Sequence, residues 1–286
     1  MVTPFDRHGA LDVDGAVALA QWLADHGSEG LVLAGTTGEG SVLDDSEALD
    51  LWSAVKAAVT VPVVAATGSN DTRHTIERTR LAADAGVDAV LVVTPYYSRP
   101  SQAGLFAHFE QVASASRLPV VLYDIPVRTG RKIAHNTMIK LARDVPNIIG
   151  VKDAAGDVVG TARLVAEAPR GFDVYCGDDL HTLPSLAVGA VGVISVAAHW
   201  LGPHLSEMVA TFAKGDVQGA QALNARHLEE VAFQSSEEFP NPMPAKAVCR
   251  ALGLPAGQCR LPIGPAPDEL DERATRVVAA VASVSA

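Results

Sequence analysis

The sequence predicts an α/β protein of the TIM (β/α)8 barrel class with a C-terminal helical domain, on three observations. Short apolar runs alternate with longer segments of helical periodicity, the mark of repeated βα units and hence of a parallel sheet. The runs number eight when "VTPF" at the start is counted with the seven that follow it, and eight strands close such a barrel. The length, 286 residues, suits a barrel built as a single unit. An open doubly wound sheet is the alternative, but no G-x-G-x-x-G follows the first strands.

The elements follow in order. "VTPF" is the weakest strand candidate, because about two residues remain to form it where a strand normally has ~5. The next is "GLVLAG" from Gly30, after the helical stretch "DVDGAVALAQWLADHG". "PVVAATG" from Pro62, "DAVLVVTP" from Asp88 and "PVVLYDIP" from Pro119 are the middle strands. "DSEALDLWSAVKAAV", "TRHTIERTRLAADAG" and "SQAGLFAHFEQVASAS" precede them in turn, each with apolar residues at helical spacing. "HNTMIKLARDV" leads to "NIIGVK" from Asn147, and "FDVYCGDD" from Phe172 and "AVGVIS" from Ala190 complete the set. After about Gly215 strand signals stop. "VQGAQALNARHLEEVAFQSSEEF", "MPAKAVCRALG" and "DELDERATRVVAAVASV" all read as helical, so residues 1–215 are assigned to the barrel and 216–286 to the helical domain.

Composition excludes several classes of function. Hydrophobic residues at 48% and charged residues at 19% fit a globular chain, and a formal net charge of −11 without a dense Lys/Arg stretch argues against a nucleic-acid partner. No apolar run approaches the ~18 residues of a membrane span, and the opening lacks the basic and apolar regions of a signal peptide. The three cysteines are far apart without CxxC spacing, so neither a disulfide framework nor a zinc site is expected, and a reducing cytoplasm is. The nine histidines show no HxxxH or H-E-x-x-H pattern, so no metal is expected.

In a TIM barrel the functional groups gather at the C-terminal ends of the strands. There the chain places "GTTGEG" at Gly35, "TPYYSRP" at Thr94, "YDIPVRTG" at Tyr123, Lys152, "GDD" at Gly177 and "VIS" at Val193. Each has an ordinary reading. Lys152 could carry its amine out to solvent, Thr36 or Thr37 could cap a helix, the tyrosines could simply pack, and Asp178 and Asp179 could cap. Two carboxylates disfavour a phosphorylated substrate, while a phenol five residues before Arg128 puts a carboxylate-binding fork beside a strand end.

Taken together and in this order, "GTTGE", "TPYY", "Y-x-x-P-x-R-T-G", "IIGVKD", "GDD", "GVIS" and "NPMPAKA" make a specific set, and the chain resembles over nearly its whole length the dihydrodipicolinate synthase family, within the N-acetylneuraminate lyase superfamily. The resemblance implies that Lys152 forms a Schiff base with pyruvate and that no cofactor beyond this covalent link is used. Desolvation would draw such an amine from its usual pKa of about 10.4 towards neutrality and free its lone pair. The resemblance further implies a proton relay of Thr37, Tyr123 and Tyr97, the last from a neighbouring subunit. The backbone around Thr36 and Thr37 would hold the pyruvate carboxylate, Arg128 that of aspartate 4-semialdehyde, and Gly177 and Ile194 would line the pocket. A homotetramer arranged as a dimer of dimers is expected on the same ground.

The chain departs from the family's usual pattern at Asp124, where Asn is usual, at Asp153, where Glu is common, and at Gly40, where Ser is frequent. The implied activity is the condensation of pyruvate with aspartate 4-semialdehyde on the route to lysine and diaminopimelate. A sugar-acid lyase or dehydratase is the alternative within the superfamily, and Arg128 and "GTTGE" argue against it. A non-catalytic keto-acid-binding paralogue is the other alternative, and the presence of the lysine and both relay tyrosines argues against that. Relatives inhibited by lysine carry histidines in the helix after "GTTGE" and a glutamate beyond the third loop's Asn. Asp45, Ala48 and His74 occupy those places, so weak feedback inhibition is expected even though Asn70 and Tyr96 remain.

Overall fold

In the computed structural model, which describes residues 1–284, helices and strands alternate through the first two thirds of the chain. The order begins α1 (Val13–Asp25), β1 (Leu31–Leu33), α2 (Asp45–Ala58), β2 (Val63–Ala66), α3 (Thr72–Asp84), β3 (Ala89–Val93) and α4 (Gln102–Ala113). It continues with β4 (Val120–Asp124), α5 (Pro126–Thr129), α6 (His135–Asp144), β5 (Ile148–Asp153), α7 (Val158–Glu167) and β6 (Asp173–Cys176). Then come α8 (Thr182–Ala187), β7 (Gly192–Val193), α9 (Ala198–Ala213), α10 (Val217–Arg226), α11 (Leu228–Ala232), α12 (Met243–Ala251) and α13 (Asp268–Val284). The chain divides into two compact units, Met1–Val63 with Val196–Ala286, and Val64–Ser195.

The Val64–Ser195 unit is a run of parallel strands taken in sequence order. β2 pairs with β3, β3 with β4, β4 with β5, β5 with β6 and β6 with β7. One register row crosses it through Val93, Tyr123, Lys152, Tyr175 and Gly192, so these residues stand side by side on one level. β4, "VVLYD", is buried along its whole length, as expected of a parallel strand covered on both faces. Three of its helices start on side-chain caps, Asp71 for α3, Ser101 for α4 and Asp157 for α7, each accepting from backbone N–H groups of the first turn.

The other unit packs α1 on α2, and α9 on α10 and α12, with α12 also against α13. Trp52, Leu19 and Leu51 are fully buried there. "VTPF" forms no strand, a correction to the eight-strand count; seven strands are present among the described residues. The reason lies in where its polar groups go. Pro4 has no N–H to give, its carbonyl accepts from Asp12 N–H at 3.0 Å, and Phe5 N–H donates to Ala256 O at 3.2 Å. Phe5 makes one isolated antiparallel bridge to Leu11, and the Met1 ammonium donates to Val32 O at 2.8 Å.

Four helices lie outside the stretches read as helical, the short α5 and α8 and the longer α7 and α9. α7 is built on Val, Gly and Thr, and α9 carries Gly202 and Pro203 beside a non-helical Leu201 (φ −123°), so the propensity signal is weak in both. The long stretch from Val217 is broken at His227 (φ −128°) rather than continuous. No helix among the described residues is long and apolar enough to cross a membrane. Cys176, Cys249 and Cys259 are free and buried.

One charged contact is deep inside this unit. Lys246 on α12, with 0% of its surface exposed, pairs with Glu39 at 2.6 Å, donates to Gln258 O at 2.9 Å, and stands 4.1 Å from the Phe5 ring centre. Burial pushes the pKa of its ammonium below the ordinary lysine range, and the Glu39 charge opposes that. Glu39 also accepts from Arg260 N–H at 2.8 Å, and the Arg260 guanidinium grips Glu47, which closes the capping box of α2. Removing one member leaves an unpaired buried charge. Lys246→Met is therefore expected to cost about 3–5 kcal/mol of unfolding free energy in urea titrations, with part recovered in the Lys246→Met/Glu39→Gln double variant. A loss within about 1 kcal/mol for the single variant would contradict the assignment of this pair.

Candidate active site

In the Val64–Ser195 unit the site is built on the register row. Lys152 is the penultimate residue of β5, flanked by Tyr123 on β4 and Tyr175 on β6. Its Nζ stands 4.6 Å from the centre of the Tyr123 ring, and its side chain is half-buried rather than enclosed. Tyr123 is buried. Its carbonyl accepts from Thr94 N–H at 2.9 Å and from Thr94 Oγ1 at 3.2 Å. Thr94, the first residue of "TPYY", thus anchors the strand end that carries the phenol, a role its place in a Pro-bounded loop did not signal.

Gly177 and Ile194 come one step past the register pair Cys176 and Val193. Gly177 N–H donates to Asp153 O at 2.7 Å, and a Cβ at Gly177 would lie 3.0 Å from Lys152 Cγ and 2.8 Å from Ala154 Cβ. The missing side chain is what leaves room for the lysine stem. Ile194 N–H donates to Cys176 O at 2.9 Å. Asp178 caps the short 3-10 turn at Asp179–His181, in keeping with the capping reading, whereas buried Asp179 accepts from the Ser195 hydroxyl.

Arg128 sits on α5, a single turn started by Pro126 and closed by Gly130 in the left-handed region (φ +70°). It is exposed, and its guanidinium makes no hydrogen bond or ion pair among the described residues. The segment beyond is fixed by Asp124, whose Oδ1 accepts from Ile133 N–H at 3.2 Å. Burial, reinforced by the nearby Asp153 charge, pushes the Asp124 carboxyl up to about 7 against the pull of that N–H. Asp153 accepts from Thr161 Oγ1 at 2.7 Å and Ala155 N–H at 3.0 Å, so both departures from the family's residues keep hydrogen-bonding work.

Tyr97 does not pack within the chain. It is 90% exposed, with its backbone in the left-handed region (φ +70°), and Arg99 two residues on is left-handed as well (φ +48°). Such conformations cost non-glycine residues about 1–3 kcal/mol each and persist where the surroundings impose them. Here Arg131 donates to Arg99 O at 2.9 Å, and Gln102 bridges Lys132 O and Ala134 N–H, tying the tyrosine loop to the one that carries Arg128.

In the other unit, Thr36 and Thr37 lie on the loop after β1. Ala34 (φ +55°) and Glu39 (φ +53°) bracket it in left-handed conformations. Gly40 lies so close that a Cβ there would be 1.8 Å from Ala34 O, which explains why serine is absent at this position. Thr37 does not cap a helix. Its Oγ1 is 3.0 Å from Asn241 Nδ2, and Thr3 Oγ1 donates to Gly38 O at 2.6 Å. Asn241 and Lys246, both from "NPMPAKA", therefore hold positions 37 and 39 of this loop. No group of three or more His, Cys, Asp or Glu side chains among the described residues is placed to hold a metal ion.

The model of the "Dihydrodipicolinate synthetase family" matches residues 1–281. A 4-hydroxy-tetrahydrodipicolinate synthase from Moorella thermoacetica is 48% identical over 275 residues, 96% of this chain and 93% of that protein. Another from Acidothermus cellulolyticus is 49% identical over 92% of this chain and 84% of its own length. Among solved structures, DHDPS from Cyanidioschyzon merolae with lysine bound matches with a TM-score of 0.95 at 39% identity, covering 99% of this chain and 96% of that one. The fold class is accordingly the TIM barrel with C-terminal helices. With a family model matched from end to end and relatives near half identical, the chain belongs to the dihydrodipicolinate synthetase family.

Proposed function

We propose that this chain condenses pyruvate with aspartate 4-semialdehyde to give 4-hydroxy-tetrahydrodipicolinate, a lyase-type step towards lysine and diaminopimelate, through a Schiff base on Lys152. The observation that carries the proposal is the placement of Lys152 at the end of β5, beside the Tyr123 phenol and against the space left by Gly177. The free amine attacks the pyruvate carbonyl carbon, water leaves, and the iminium draws electrons from the neighbouring methyl group. Loss of a methyl proton gives an enamine, whose terminal carbon attacks the aldehyde. The substrate's own amine then attacks the iminium carbon, closes the ring and releases Lys152.

Thr37, Tyr123 and Tyr97 carry the protons in this reading, and such transfers contribute ~10² to 10⁴ in rate. The backbone around Thr36 and Thr37 holds the pyruvate carboxylate, Arg128 the carboxylate of the aldehyde, and Gly177 and Ile194 line the pocket. The exposure and left-handed backbone of Tyr97 support its delivery to a second copy of the chain. A homotetramer made of two tight dimers fits that role, as does a cytoplasmic enzyme without a cofactor or metal. The unpartnered guanidinium of Arg128 favours an aldehyde bearing a carboxylate over a neutral sugar aldehyde that offers only hydroxyls.

Borohydride added with pyruvate is expected to trap a covalent adduct that peptide mapping places on Lys152. An adduct on Lys132 or Lys140, or none, would overturn the mechanism. Arg128→Ala is expected to leave this trapping intact while kcat/KM for aspartate 4-semialdehyde falls by roughly the 10- to 150-fold that a contact of about 1.5–3 kcal/mol implies. Equal loss of both would count against the role given to Arg128.

A further inference from the structure

Thr37 has one hydroxyl proton and two acceptor lone pairs, so what its neighbours take decides what it can still give. The neighbour is Asn241, 7% exposed and 204 residues further along the chain. Its amide faces the hydroxyl with Nδ2 at 3.0 Å and Oδ1 at 3.4 Å from Oγ1. In the first contact the asparagine donates; in the second Thr37 would donate, but 3.4 Å is long for an O–H···O bond, so the asparagine is the main donor. A lone pair of Thr37 is then filled, and the hydroxyl proton stays available to another acceptor.

The backbone that carries the amide is held in place. Asn241 N–H donates to Ser235 Oγ at 3.2 Å, and Lys246, on the helix that follows, pairs with Glu39 at 2.6 Å, two residues past Thr37. The two segments therefore meet twice, and the geometry at Thr37 is set from the C-terminal side of the sequence. We propose that Asn241 is a positioning residue that sets the direction of proton donation by Thr37. By donating its own N–H it keeps the threonine hydroxyl a donor. This inference rests on the proposed place of Thr37 in the proton relay.

The test is a charge-state substitution of nearly equal shape. Asn241→Asp supplies only acceptors when ionised and would capture the Thr37 proton, so kcat is expected to fall on the order of 10²-fold with KM for pyruvate little changed. A protonated carboxyl can donate again, so the ratio of variant to wild-type kcat is expected to rise as pH is lowered from 9 to about 5. Asn241→Ala, which neither donates nor accepts, is expected to show a pH-independent ratio and a smaller loss. Thr37→Val, measured alongside, separates the two levels of the argument. If Thr37→Val keeps wild-type kcat, the relay assignment itself is wrong. If Thr37→Val is impaired while Asn241→Asp is active, or Asn241→Asp matches Asn241→Ala at every pH, the inference about Asn241 fails alone. An Asn241→Asp chain that does not fold, by circular dichroism, would likewise overturn it by making Asn241 a structural residue.

Discussion

A carboxylate and an ammonium buried together, Glu39 with Lys246 at 2.6 Å, hold the loop after β1 in a shape its own backbone resists. Ala34 and Glu39 are both non-glycine residues in the left-handed region, each at a cost of about 1–3 kcal/mol. The loop keeps that shape because everything around it agrees. Gly40 permits contact with Ala34 O, Thr3 ties Gly38, Arg260 N–H takes the second oxygen of Glu39, and Asn241 meets Thr37. A buried ion pair adds little stability over an apolar pair of similar volume, yet it punishes any other arrangement of the same residues. Its value here is the fixed position of two threonine residues.

The lysine of β5 depends on a different constraint. A parallel ladder puts Tyr123, Lys152 and Tyr175 on one level, and the absence of a side chain at Gly177 gives the lysine stem its space. Rigid strands supply the position of the amine, whereas the groups proposed to meet the second substrate or another subunit sit on short, exposed turns. Arg128 and Tyr97 make few contacts of their own, but the turns beneath them are pinned by Asp124, Arg131 and Gln102. Exposed functional tips on a well-bonded base are what a site needs when its reach matters more than its burial.

Much of this was legible in the sequence. Alternation of apolar runs with helical stretches located β1 to β7, and a lysine ending an apolar run pointed to Lys152. "VTPF" misled because apolar character was read as pairing, while Pro4 and the carbonyl partners available in space took its backbone elsewhere. α9 was hidden by Gly202 and Pro203. The contacts of Asn241 and Lys246 with the "GTTGE" loop carry no local signature, since each spans more than half the chain. A lysine set among Ala, Val and Cys in "MPAKAVC" was the one available hint that its charge was buried. The chemical weight of Asp124 was also illegible, because the shift of its carboxyl to about 7 comes from burial and from Asp153 on the neighbouring strand.

The central claim is that Lys152 converts pyruvate into an enamine before any aldehyde is bound. Proton NMR of pyruvate with the enzyme in heavy water tests this without a second substrate. The expected result is progressive loss of the pyruvate methyl signal through deuterium uptake, abolished in Lys152→Ala. A methyl signal that persists with the wild-type chain, or exchange that continues at the same rate without Lys152, would contradict it.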